Sequence, residues 1–160
     1  MSTATRLTLE THGVAETRAL GRRIARLLRA GDVLLLQGPL GAGKTALAQG
    51  IGGGLRVETT VNSPTFVLLA RHAGALPLYH ADLYRLASPE EVDELALAEQ
   101  AADGVLLVEW PERGLEVLPE EHLLVAIEPL AGDERGRRFT LVARAERYRR
   151  VLDGLQAGRG

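Results

Sequence analysis

The residues best placed to do chemistry lie together, in Gly38-Pro39-Leu40-Gly41-Ala42-Gly43-Lys44-Thr45. This run fits G-x-x-x-x-G-K-[ST], the pattern of a phosphate-binding loop. Its glycines let the backbone curl until several amide N–H groups face one anion. The helix expected after the loop adds the positive end of its dipole. Lys44 would reach the β- and γ-phosphates of a nucleotide, and the Thr45 hydroxyl would ligate Mg²⁺. The expected binding set runs from Gly38 to Ala46, and Lys44 is the only lysine among 19 basic residues.

Three further segments carry candidate groups. The apolar run Val105-Leu106-Leu107-Val108 ends in Glu109. An acid at the end of such a strand helps hold Mg²⁺ in phosphate-loop proteins, so Glu109 joins Thr45 as a metal-site candidate. In Tyr79-His80-Ala81-Asp82-Leu83-Tyr84-Arg85, His80 and Asp82 lie two apart, and a strand would present both on one face. Asp82 could orient a water, accept its proton, or hold Mg²⁺ through water; His80 reads as a structural hydrogen-bond partner. Lys44, Asp82 and Glu109 are therefore the candidate catalytic groups. Asn62-Ser63-Pro64-Thr65-Phe66 reads either as a switch that senses a γ-phosphate through Thr65 or as a turn before a strand. Trp110, the only tryptophan, reads as packing.

Elements must position these groups. A strand is predicted over Arg6–Glu10, a helix over Val14–Ala30, and an apolar strand over Asp32–Gln37. The last is apolar enough to be covered on both faces, as in a parallel sheet. Lys44–Leu55 reads as a helix stopped by Gly52-Gly53-Gly54. Thr65–Arg71 and Leu76–Ala81 read as a hairpin. Ser88-Pro89-Glu90-Glu91 reads as the capped start of one helix running to Ala102. His122–Ile127 and Arg138–Ala143 read as a second hairpin with a long connection, and a short helix over Glu146–Leu155 closes the chain. The expected fold is α/β: one three-layer phosphate-loop domain over residues 1–160, with a mixed, mainly parallel central sheet.

Composition excludes several classes. The chain has 160 residues, 46% hydrophobic and 25% charged, and no cysteine. A disulfide scaffold, a thiol nucleophile and a disordered chain are ruled out. No apolar run approaches a membrane span, and Met1–Glu10 lacks the features of a signal peptide, so a soluble, cytoplasmic protein is expected. Charge is uneven: residues 1–132 carry a formal −6, whereas residues 133–160 carry eight arginines against four acids. That basic tail reads either as a solvated helix face with a frayed end or as a surface for an acidic partner or tRNA.

Taken together, the phosphate loop, Ser63-Pro64-Thr65-Phe66, Tyr79-His80-Ala81-Asp82-Leu83-Tyr84-Arg85-Leu86, Pro89-Glu90-Glu91 and Glu109-Trp110-Pro111 resemble the TsaE (YjeE) family across residues 14–130. The family is that of the small bacterial ATPases of tRNA threonylcarbamoyladenosine (t6A) synthesis. The resemblance implies ATP and Mg²⁺ as ligands, Asp82 near the phosphates, and Thr45 and Glu109 at the metal. It also implies nucleotide contacts from the first helix, at Val14 and Thr17, and from Arg137 in Gly136-Arg137. As partners it implies the TsaB–TsaD complex, whose turnover ATP hydrolysis would support, with tRNA met indirectly and no membrane. Two other functions fit the phosphate loop: a small-molecule kinase, and a nucleotide-gated binding module with negligible hydrolysis. A guanine-nucleotide switch is excluded, since no second lysine exists for an Asn-Lys-x-Asp motif and the only asparagine is Asn62.

Overall fold

In the computed structural model, which describes residues 5–39, 41–61, 69–85 and 88–158, the apolar run after Asp32 forms strand β2 (Val33–Gln37). It lies at the centre of a seven-stranded sheet whose order is β1-β7-β6-β2-β5-β4-β3. The other strands are β1 (Arg6–His12), β3 (Leu69–His72), β4 (Leu78–Asp82), β5 (Val105–Glu109), β6 (Leu123–Leu130) and β7 (Asp133–Ala143). β6, β2, β5 and β4 run parallel as consecutive neighbours, while β7 and β3 run against them. β1, antiparallel to β7, shares the majority direction, so the sheet is mixed and mainly parallel, as expected.

Period-2 alternation distributes the strands between two cores. Leu34, Leu36, Val105 and Leu107 face one core with helices α1 (Val14–Ala25), α2 (Lys44–Gly54) and α5 (Glu146–Ala157). Val33, Leu35, Leu106 and Val108 face the other with α3 (Pro89–Glu94) and α4 (Leu97–Gln100). Helices on both faces make the three layers. No helix among the described residues is long and apolar enough to cross a membrane.

Several boundaries differ from expectation for physical reasons. α2 runs through Gly52 and Gly53 to Gly54 rather than being stopped by them. These glycines serve packing: a Cβ on Gly54 would lie 2.5 Å from the Ala25 Cβ, and one on Gly50 would lie 2.2 Å from the Arg18 carbonyl oxygen. α1 and α2 thus pack at backbone contact. The single helix expected over Ser88–Ala102 is two, broken at Ala96 with φ 48°. Val92 and Leu97 are both buried in the second core; on one continuous helix they would diverge by about 140°, and the break lets both face the sheet. Ser88 occupies the N-cap position without a side-chain cap bond.

The second hairpin has no long connection. β6 and β7 continue to Leu130 and from Asp133, and the turn places Gly132 at φ 81°. The polar half of β7 is not a loop because it is paired on both sides, Arg137 lying opposite Thr11 and Pro129. α5 buries one face in the first core and leaves Arg147 exposed on the other. Tyr148, Val151, Leu152 and Leu155 are buried, and the Tyr148 hydroxyl accepts the Val33 N–H at 2.8 Å. Arg147 and Arg150 clamp the fully buried Asp32 at 2.7 and 3.0 Å.

Candidate functional site

The phosphate-binding pattern spans the β2–α2 connection, at the C-terminal edge of the parallel strands, where open α/β sheets hold their ligands. Gly41 and Gly43 adopt φ of 77° and 110°, the left-handed region that glycine enters without a Cβ penalty. Gly38 serves close approach, since a Cβ there would lie 2.6 Å from the Ile127 carbonyl oxygen. The Ala42 N–H donates to the Pro39 carbonyl at 3.1 Å and closes the turn. Lys44 opens α2 and is buried, and Thr45 beside it is exposed. Leu40 and Thr65 lie outside the described residues, as does the rest of Asn62–Phe66.

Two strands deliver the acids. In the parallel β4–β5 ladder Asp82 is the register partner of Glu109, and in the β2–β5 ladder Leu36 is the partner of the same Glu109. The phosphate loop therefore starts beside Glu109, with Asp82 one strand further out. Lys44, Thr45, Asp82, Glu109, Gly41 and Trp110 line one cavity of about 350 Å³. His80 and Asp82 share the sheet face predicted for them. Completely buried, His80 donates Nε2–H to Glu109 Oε2 at 2.6 Å, while its Nδ1 finds no partner among the described residues. The structural role expected for His80 is thus aimed at the acid of the site.

The electrostatics follow from burial. Burial pulls the Lys44 ammonium below its ordinary pKa, against the carboxylates of Glu109, Glu112 and Asp82, which push it up. Burial also raises the Asp82 carboxyl above its ordinary 3.8 and Glu109 adds to this, while the Tyr84 N–H, His80 and Lys44 oppose it. The Lys44 Nζ donates to the Gly38 carbonyl at 2.6 Å and lies 3.7 Å from the centroid of the Trp110 ring. That cation–π contact was not legible in sequence. Trp110 has φ 58°, directly before the 3₁₀ turn Pro111–Arg113, and its ring meets that of Tyr84 tilted at 51°, with centroids 4.9 Å apart. The only signal for it was its position directly after the strand-end acid.

A second cavity, of about 510 Å³, adjoins the first through Gly43 and is lined by Val14, Thr17, Ala46, Arg135 and Arg137. Val14, 56% exposed, presents an apolar surface, whereas the Thr17 hydroxyl is already bonded to Thr11 Oγ1 at 2.8 Å. Arg137 crosses from β7 to the loop, with Nη2 donating to the Gly41 carbonyl at 3.3 Å and Nη1 to those of Glu134 and Gly136. At the rim His12 Nδ1 meets Asp133 Oδ2 at 2.9 Å. The residues expected from the first helix and from Gly136-Arg137 are thus brought to the phosphate loop.

Comparison with known proteins agrees with this geometry. The family model for "Threonylcarbamoyl adenosine biosynthesis protein TsaE" matches residues 11–139. The tRNA threonylcarbamoyladenosine biosynthesis protein TsaE of Streptomyces coelicolor is 44% identical over 137 residues, 82% of this chain and 93% of its own. The Bacillus subtilis protein of the same name is 42% identical over 142 residues, 88% of this chain and 87% of its own. The crystal structure of Bacillus subtilis YdiB has a TM-score of 0.79 at 32% identity, covering 100% of this chain and 99% of that one. The stretch matched by the family model runs from before Val14 to beyond Arg137 and so takes in both cavities and the loop between them: this chain belongs to the TsaE family.

Proposed function

We propose that this protein binds ATP with Mg²⁺ at the phosphate loop and hydrolyses it in support of t6A formation at position 37 of tRNA, sustaining turnover of the TsaB–TsaD complex. The supporting observation is the register that sets Asp82 and Glu109 side by side against Lys44 and Thr45 in one cavity. The donor set fits the ligands. A left-handed glycine pair and a lysine suit phosphate oxygens, and a hydroxyl with carboxylates suits Mg²⁺, which needs few protein ligands beside phosphate and water. When bound, Mg²⁺ neutralises charge on the β- and γ-oxygens.

The chain's own groups do the rest. The Gly41–Thr45 amides and the start of α2 hold the phosphates, and Lys44 exchanges the Gly38 carbonyl and the Trp110 face for phosphate oxygens. Thr45 and Glu109 hold the metal, and Asp82, its carboxyl less acidic than usual through burial, orients the attacking water or takes its proton. Val14, Thr17 and Arg137 line the space for the nucleoside. The cytoplasm is the compartment where such a substrate and tRNA meet.

Single-turnover hydrolysis with and without TsaB–TsaD tests this. Asp82→Asn and Glu109→Gln are expected to cut hydrolysis by about 10²-fold or more, in the range of general acid–base contributions, with ADP affinity retained. Lys44→Ala is expected to abolish the change in Trp110 emission on adding ATP. Unchanged turnover in Asp82→Asn removes that residue from the chemistry, and undiminished ATP affinity in Lys44→Ala overturns the phosphate-loop reading.

A further inference from the structure

Behind Trp110, on the sheet face away from α2, lies a third cleft of about 330 Å³. Pro111, Leu115, Pro119 and Leu124 supply its apolar floor, and Glu112 and Glu120 stand at its rim. Leu115 and Val117 are 55% and 37% exposed, two of the four large exposed apolar side chains among the described residues. Glu112, Glu116, Glu120 and Glu121 are all exposed around them, with Arg113 the only base between residues 111 and 121. None of the four glutamates enters an ion pair among the described residues. Arg144 and His122 complete the lining, so the cleft joins apolar surface to a rim that is net negative, four glutamates against Arg113 and Arg144.

The cleft is tied to the phosphate-loop site through the chain. Gln37 in its wall directly precedes Gly38, and Pro111 and Glu112 directly follow Glu109-Trp110. Glu112 is one of the carboxylates that support the charge of Lys44, and Arg113 lies 5.8 Å from the Tyr84 ring that packs tilted against Trp110. An occupant that moves the Pro111–Arg113 turn must move Trp110, and with it one wall of the site.

We propose that this cleft is the docking surface for a protein partner, which inserts an apolar side chain flanked by lysines or arginines against Leu115, Val117 and the glutamate rim. The occupant is a protein segment and not RNA, because the rim would repel phosphates. The inference rests on the proposed function for its choice of partner, the TsaB–TsaD complex, and adds where that partner binds.

The test measures association of the full-length chain with purified TsaB–TsaD for the wild type, Leu115→Asp, and Glu116→Lys/Glu120→Lys. The altered residues are exposed, so folding is expected to survive, and unchanged ADP affinity and melting temperature verify this. Leu115→Asp is expected to weaken association at least tenfold. The double charge reversal is expected to slow association and flatten its salt dependence, as loss of electrostatic steering does. Equal affinity and salt slope in all three proteins overturn the proposal, as does a Leu115→Asp change seen only in tRNA binding or self-association. If the wild type does not bind TsaB–TsaD at all, the partner in the proposed function falls. The cleft is then probed with a synthetic Leu/Lys amphipathic helix: saturable binding lost in Leu115→Asp retains it, and absent or unaltered binding overturns it.

Discussion

His80→Phe probes the contact that joins β4 to the acid of β5. The ring keeps apolar volume in place, so the main loss is the donor to Glu109, 2.6 Å away in a fully buried setting. A hydrogen bond to a charged group contributes about 1.5–3 kcal/mol net. In a chain of 160 residues, at about 2–4 °C per kcal/mol, that lowers the melting temperature by about 3–12 °C. The single variant mixes this with repacking, so the pair is isolated by a cycle of His80→Phe, Glu109→Met and both together, read by urea unfolding. The expected coupling is about 1.5–3 kcal/mol. The double variant should be more stable than His80→Phe alone, because removing the carboxylate removes a buried charge that has lost the His80 donor. A coupling below about 0.5 kcal/mol, the range of independent sites, refutes the assignment.

Four other outcomes follow from the structure. The His12–Asp133 pair raises His12 above its ordinary 6.5 and lowers Asp133 below its ordinary 3.8. The His12 contribution is complete below 6.5 and lost as pH rises through the raised value; that of Asp133 is complete above 3.8 and lost as pH falls through the lowered one. The contact is therefore strongest between these limits, and Asp133→Asn should move the His12 titration, followed by NMR, down toward 6.5. Tyr148→Phe leaves the Val33 N–H without its acceptor and should cost about 1–3 kcal/mol in urea unfolding; ending the chain at Ala143 exposes the core under α5 and should abolish cooperative unfolding. Thr45→Ala should weaken ADP binding with Mg²⁺ more than ADP binding in EDTA, measured by calorimetry.

The phosphate loop was legible because its pattern, the apolar strand before it and the helix after it are contiguous in the chain. The same holds for the strand-end acids, since period 2 alone puts His80 and Asp82 on one face. Their meeting with Glu109 was not legible, because it depends on the register of two parallel strands, with 29 residues separating His80 from Glu109. Nor was the left-handed Trp110, whose strain is paired with its contact to Lys44. The break at Ala96 defeats propensity, since alanine favours helix and only the need to bury Val92 and Leu97 together explains it. Gly52-Gly53-Gly54 reads as punctuation in the sequence, whereas in the fold Gly54 is the floor on which α1 rests.

Charge was the least legible feature, and the reason is general. Counting assigned the surplus of arginine after residue 132 to the surface, where it suggested a binding face. Folding pairs Arg147 and Arg150 with Asp32, a residue 115 positions before the first of them, and Arg138 with Glu10 and Glu128 on the two strands that flank β7. A charge held in such a pair has already lost much of its field to its partner, so it steers little. The glutamates between residues 112 and 121 do not stand out in the count because the chain's acids are spread widely, yet among the described residues none of them forms an ion pair and apolar side chains stand exposed among them. Recognition follows the charges that remain uncompensated after folding, and on that ground the partner surface we propose lies beside Trp110 and the phosphate loop.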